Sequence, residues 1–285
     1  MSETVYSPTP KELISPTAFL TAAARAFESQ RPDRLFNDPW AAVLAGHEGQ
    51  RRFASVEDQG GSIIVRTRYF DEWLQRLAHE HNIRQIVLLA AGLDTRVFRF
   101  NWPSETRFFE LDQPLILDYK EAVLKVQQAQ PRCERVPVIA DLAQPGWEEA
   151  LLQAGFNPTL PSAWLVEGLL FYLPLDQISR LLEQISRLAA PDSWLGFDAI
   201  HSEMISSPLT RVRIDRLARS GAPWIGAIDD PITLLASLGW AATFVSSARK
   251  GYEYGRAVFP FIPPAELTLE TEKLYHMLVT AWRKP

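Results

Sequence analysis

Apolar positions recur at helical spacing in the first part of the chain and gather into short continuous runs in the rest. Residues 16–28 are rich in alanine and predict a helix, with Ser15 as its N-cap and Pro16 at the first helical position. Asn37-Asp38-Pro39 marks a second helix start, leading into Trp40, Val43 and Leu44. Gly60-Gly61 interrupts the pattern. From Ser62 onward Ile63, Ile64, Phe70, Trp73, Leu74 and Leu77 again step at helical intervals with charges between them. After Asn82 the character changes. Ile86-Val87-Leu88-Leu89-Ala90-Ala91 is an unbroken apolar run, as expected of a strand covered on both faces. Residues 107–111, 135–139, 163–166 and 194–199 read as further strands. The helical stretches between them are clearest at 174–188, where Leu175, Ile178, Leu181, Leu182, Ile185 and Leu188 form a stripe.

Strand alternating with helix predicts an α/β fold with a doubly wound, mostly parallel sheet. Residues 241–246 and 255–261 read as two last strands that finish the sheet as an antiparallel hairpin, and Pro263-Pro264 as the start of a terminal helix. One structural domain is expected, with a core over residues 83–285 and a helical N-terminal region, 1–82, folding over it as a lid.

Composition narrows the function classes. The 285 residues are 47% hydrophobic, so the chain can bury a sizeable core and is not of the disordered type. A balance of 29 Lys+Arg against 34 Asp+Glu argues against a nucleic-acid binder. Cys133 is the single cysteine, which excludes an internal disulfide framework and any cysteine-built metal site. No apolar run is long enough for a membrane span and the first residues do not read as a secretory signal, so a cytoplasmic protein is expected. Oligomeric state is not readable.

In an open parallel sheet, ligands collect at the carboxyl ends of the strands. The first strand ends in Ala91-Gly92-Leu93-Asp94-Thr95-Arg96, where Gly92 permits a tight turn and Asp94 or Thr95 can cap the next helix. The second ends in Glu110-Leu111-Asp112, 20 residues beyond Gly92, which fits the spacing of ~20 at which a carboxylate meets a nucleoside ribose. Asp141-Leu142 follows the third strand, Glu167-Gly168 with Phe171-Tyr172 the fourth, and Asp198 with His201 the fifth. Two of the three glycines of the dinucleotide pattern are missing, Ala90 and Asp94 standing in their places. Pyrophosphate needs a very close backbone approach, so a nucleoside without phosphates fits better, and S-adenosyl-L-methionine (SAM) is the common one.

The runs Arg66-Thr67-Arg68, Ala91-Gly92-Leu93-Asp94-Thr95-Arg96, Glu110-Leu111-Asp112-Gln113-Pro114, Asp141-Leu142 and Val166-Glu167-Gly168-Leu169-Leu170-Phe171-Tyr172-Leu173 stand in one order. Together they closely resemble the leucine carboxyl methyltransferase-like family of SAM-dependent methyltransferases. The segments Ala24-Arg25-Ala26-Phe27-Glu28, Arg34-Leu35-Phe36-Asn37-Asp38-Pro39 and Leu234-Leu235-Ala236-Ser237-Leu238-Gly239-Trp240 look like its bacterial branch, which includes polyketide O-methyltransferases. Ala90 departs from the family, which usually has glycine there, and its methyl group would crowd the methionyl end.

The resemblance implies a seven-stranded, Rossmann-like class I methyltransferase core. It implies that Arg66 pairs with the SAM carboxylate and that Ala91, Gly92 and Asp94 form the loop under the methionyl moiety. It further implies that Asp112, with Gln113, holds the ribose, and that Asp141 and Leu142 meet the adenine edge. Glu167, at the end of a buried strand, needs a partner such as Arg66 or the SAM ammonium. Arg96 is expected to pair with Glu110 or to touch the ligand.

Methyl transfer from a sulfonium is an in-line displacement in which alignment is the main task. A carboxylate acceptor is already anionic at neutral pH and needs no base, whereas a hydroxyl does. Among the histidines only His201 stands in the row of strand ends, and Tyr172 is the candidate to line the acceptor pocket or hold the acceptor oxygen. His47, His79, His81 and His276 fall outside that row, and no metal site is expected. The basic cluster Arg211, Arg213 and Arg216 reads as a charged helix face, and Trp224 as packing or the roof of the acceptor cavity. The expected activity is O-methyl transfer to a carboxylate or hydroxyl of a small molecule. The alternatives are a protein C-terminal carboxyl methyltransferase, a SAM-binding regulator without catalysis, and an NAD-dependent oxidoreductase.

Overall fold

The computed structural model describes residues 16–56 and 58–284, so the proposed cap Ser15 lies outside the described residues. Three helices come first: α1 (Pro16–Ser29), α2 (Ala41–Phe53) and α3 (Gly61–Glu80). The alternating core follows as β1 (Gln85–Leu89), α4 (Arg96–Arg99), β2 (Arg107–Asp112), α5 (Pro114–Val126), β3 (Glu134–Ile139), α6 (Trp147–Gln153), β4 (Ser162–Val166), α7 (Leu175–Leu188) and β5 (Trp194–Ala199). Short helices α8 (Ser202–Ser206), α9 (Arg211–Arg219) and α10 (Pro231–Ser237) lead to β6 (Trp240–Ser246). The chain closes with α11 (Ser247–Tyr254), α12 (Leu269–Glu272) and β7 (Met277–Arg283).

All seven strands form one sheet in the order β3-β2-β1-β4-β5-β7-β6. The first five are parallel, and β7 runs antiparallel between β5 and β6. Strand order reverses between β1 and β4, which opens a crevice beyond their carboxyl ends. Successive side chains of β1 serve two cores. Ile86 and Leu88 pack with Phe70, Trp73 and Leu74 of α3, while Val87 and Leu89 pack with Ile178, Leu182 and Ile185 of α7. Both faces are therefore covered, which is why β1 reads as a continuous apolar run.

The end of the chain differs from expectation. Residues 255–261 form no strand. The Ser246 side chain caps α11, which Gly255 ends in a left-handed conformation. Pro264–Glu266 makes one 3-10 turn rather than a terminal helix. The last strand is instead Met277–Arg283, whose Met277, Leu278, Val279 and Ala281 are buried. Burial of that apolar run outweighs the helix start signal of the prolines upstream. Among the described residues, no helix is long and apolar enough to cross a membrane, and no group of three or more His, Cys, Asp or Glu side chains is placed to hold a metal ion.

Candidate active site

A cavity of about 360 Å³, within the ~300–1,000 Å³ typical of small-molecule sites, lies at the strand-order reversal. The turn after β1 forms one wall. Ala90 and Gly92 both take left-handed conformations, at φ 55° and 50°. A Cβ on Gly92 would meet nothing closer than 3.9 Å, so the glycine leaves its backbone open to the cavity. The Gly92 amide donates to Asp112 Oδ2 at 2.6 Å, and the Gln113 amide donates to Asp112 Oδ1 at 2.7 Å. Burial still pushes the Asp112 carboxyl above the ordinary aspartate range, against those two hydrogen bonds.

A ladder of buried charges crosses the floor. Arg96 donates through Nε to Asp71 at 2.7 Å, lies against Asp94, and places Nη2 2.8 Å from Glu167 Oε2. Arg66 Nε donates to Glu167 Oε1 at 2.9 Å and Arg66 Nη1 to Asp198 Oδ2 at 2.8 Å. Its Nη2 takes no hydrogen-bond partner among the described residues. Gly168, at φ 75°, lets this guanidinium pass, since a Cβ there would stand 3.1 Å from Arg66 Nη2. Burial alone would raise the Asp198 carboxyl, but Arg66 and His276 hold it well below the usual range. Asp94 is likewise held low against its burial, chiefly by Arg96.

The far end of the cavity is aromatic. The His276 ring stands perpendicular to those of Phe171 and Trp224, with ring centroids 5.3 and 5.2 Å apart. Its Nδ1 lies 3.1 Å from Asp198 Oδ2. Tyr172 packs against Phe171, and burial pushes its phenol up.

Arg66, Ala91, Gly92, Asp94, Asp112, Gln113, Glu167 and Tyr172 thus line one cavity. Asp141, Leu142 and His201 do not form part of its wall. Asp141 is exposed one strand over from Asp112 and accepts from the Ala143 amide at 3.0 Å. The His201 Nδ1 accepts from the Glu203 amide at 3.1 Å, capping α8. Arg96 does not pair with Glu110, which meets Lys120 and Arg135 instead, each at 2.9 Å.

His276, which sequence order places outside the row of strand ends, lines the cavity. It immediately precedes β7, and an antiparallel strand begins at the edge where its parallel neighbours end. Two residues of the basic cluster also reach the wall. Arg213 is buried, pairs with Asp58 at 3.1 Å and lies over the Phe259 ring, and Arg216 donates to the Ser55 carbonyl at 3.0 Å. They brace α9 against the segment before α3 rather than forming a solvated face. Trp224 also belongs to the wall.

The donor set suits an adenosyl sulfonium ligand. An acid and an open glycine backbone face one end of the cavity, and carboxylates and a partly open guanidinium face the middle, where a zwitterionic amino acid could be matched.

The sequence profile of leucine carboxyl methyltransferases matches residues 18–186. A Parafrankia sp. protein that carries the name of a SAM-dependent methyltransferase is 39% identical over 267 residues, covering 88% of this chain and 83% of its own. A Frankia alni protein with the same kind of name is 36% identical and covers 93% of this chain and 94% of its own. In fold, the chain is similar to a solved Thermobifida fusca protein titled as a methyltransferase. The TM-score is 0.61 at 17% identity, covering 99% and 100% of the two chains. A DUF574 family protein from Streptomyces avermitilis gives 0.57 at 15% identity, covering 93% and 97%. The chain therefore belongs to the leucine carboxyl methyltransferase family of SAM-dependent methyltransferases.

Proposed function

We propose that the protein transfers the SAM methyl group to an oxygen of a small-molecule acceptor, a hydroxyl or a carboxylate. The observation that carries this reading is the continuity of one cavity from Asp112 and Gly92 to Phe171, Tyr172 and His276. When bound, SAM supplies an electrophilic methyl on a sulfonium. Asp112 accepts from the ribose hydroxyls while its other contacts keep it facing the Gly92 turn, and Gln113 flanks it. Arg66 offers Nη2 to the amino-acid carboxylate, and Glu167 faces the ammonium. Ala91, Gly92 and Asp94 pass beneath the methionyl chain. Asp141 and Leu142, outside the cavity wall and one strand over from Asp112, flank the adenine edge where it emerges from the cavity.

Tyr172 lines the acceptor side. The helical region before β1 serves as the lid, because Thr17, Ala18 and Thr21 of α1 help to line the cavity. That enclosure excludes water and favours a small acceptor over a protein terminus. The test is a turnover panel of phenols, alcohols, carboxylic acids and amines, with products identified by mass spectrometry. Methyl ethers or methyl esters support the reading; products methylated only on nitrogen or carbon would reject it.

A further inference from the structure

We propose that His276, oriented by Asp198, is the general base that deprotonates a hydroxyl acceptor, so that the preferred substrate is an aromatic alcohol or phenol rather than a carboxylate. This rests on the oxygen-acceptor reading above.

The argument is one of hydrogen-bond accounting. Asp198 is fully buried at the end of β5 and ionised, and an ionised carboxylate only accepts. Three donors converge on it: the Gly168 amide at 2.6 Å on Oδ1, and Arg66 Nη1 at 2.8 Å and His276 Nδ1 at 3.1 Å on Oδ2. The proton of neutral His276 must then sit on Nδ1, which leaves Nε2 as a bare acceptor. Nε2 takes no partner among the described residues, and His276, buried but for 5% of its surface, lines the cavity. A carboxylate acceptor has no use for such a base. The Phe171 and Trp224 rings, each perpendicular to the imidazole, suit a flat apolar ring.

In the step, His276 Nε2 takes the hydroxyl proton as the acceptor oxygen bonds to the methyl carbon. The carbon–sulfur bond breaks, and its electron pair remains on sulfur as the neutral thioether. The imidazolium that forms is stabilised by Asp198 and later releases its proton to water.

The first readout needs no acceptor. In protein labelled with 15N-histidine, the two-bond proton–nitrogen spectrum of His276, assigned by its loss in His276→Gln, should show Nδ1 protonated and Nε2 bare in the neutral form. A proton on Nε2 would overturn the proposal. Asp198→Asn offers one acceptor oxygen where three donors converge, and its amide should drive the imidazole proton to Nε2. An unchanged tautomer would contradict the orienting role. The second readout uses catechol and phenylacetate as probes. His276→Gln should bind SAM within ~3-fold of wild type by calorimetry yet lose ~100-fold or more in catechol methylation, the scale of a lost general base. Catechol turnover within ~3-fold of wild type, or a wild-type enzyme that methylates phenylacetate but not catechol, would overturn the base while leaving oxygen transfer intact.

Discussion

Arg25 Nη2 donates to the Leu93 carbonyl at 2.6 Å, fastening α1 to the turn that follows Gly92. The same guanidinium donates through Nε to Asp38 Oδ2 at 2.9 Å, and Thr95 Oγ1 donates to that oxygen at 2.6 Å. The two N-terminal motifs thus meet the glycine turn directly. Removing one member of a buried pair strands the other, so Arg25→Ala should cost ~3–5 kcal/mol in urea unfolding and weaken SAM binding. Wild-type stability and affinity together would show that α1 docks without this contact.

Ala90 occupies a left-handed conformation, at φ 55°. That conformation costs an L-residue ~1–2 kcal/mol, and glycine adds ~0.4–1 kcal/mol of unfolded-state entropy, so Ala90→Gly should stabilise the protein by up to ~1.6 kcal/mol. A lower unfolding midpoint in Ala90→Gly would contradict the strain.

Glu110 and Asp112 lie two residues apart on β2 with different duties. Glu110 is fully buried against Lys120 and Arg135 and takes no part in the cavity wall. Glu110→Ala should destabilise by ~3–5 kcal/mol while the folded fraction binds SAM normally, as thermal unfolding and calorimetry would show. A selective loss of SAM affinity without a stability change would reverse that division.

Acid should remove stability from the contact that docks α1 on the glycine turn. Burial alone would raise the Asp38 carboxyl, but Arg25 and Arg99 and the Thr95 hydroxyl hold it below its usual value. A carboxylate lowered in the folded state stabilises above its unfolded pKa of ~3.9, and that stability is lost as pH falls through the lower folded value. Asp38→Asn should therefore be clearly less stable than wild type at neutral pH, with the gap narrowing below about pH 4. A gap independent of pH in urea titrations would exclude the linkage.

Much of this molecule is legible in its sequence. Burial on both faces leaves a mark on β1, and Asp112 is found by its distance from Gly92. What sequence order hides is antiparallel geometry and long-range pairing. His276 lies beyond the last predicted strand, and only the insertion of β7 beside β5 brings it to the edge where Asp198 ends. Arg96 finds Asp71 on α3 and Glu167 after β4 because β1, which leads into it, pairs with β4 and packs against α3, a neighbourhood set by the sheet rather than by spacing.

In the proposed function Asp112 and the Gly92 turn grip the adenosyl group. A crystal structure with bound S-adenosylhomocysteine tests it most directly. A ribose hydroxyl should lie within ~3.2 Å of an Asp112 carboxylate oxygen, with the amino-acid carboxylate beside Arg66 Nη2. A nucleoside bound elsewhere, with Asp112 engaging only the Gly92 and Gln113 amides, would contradict the account.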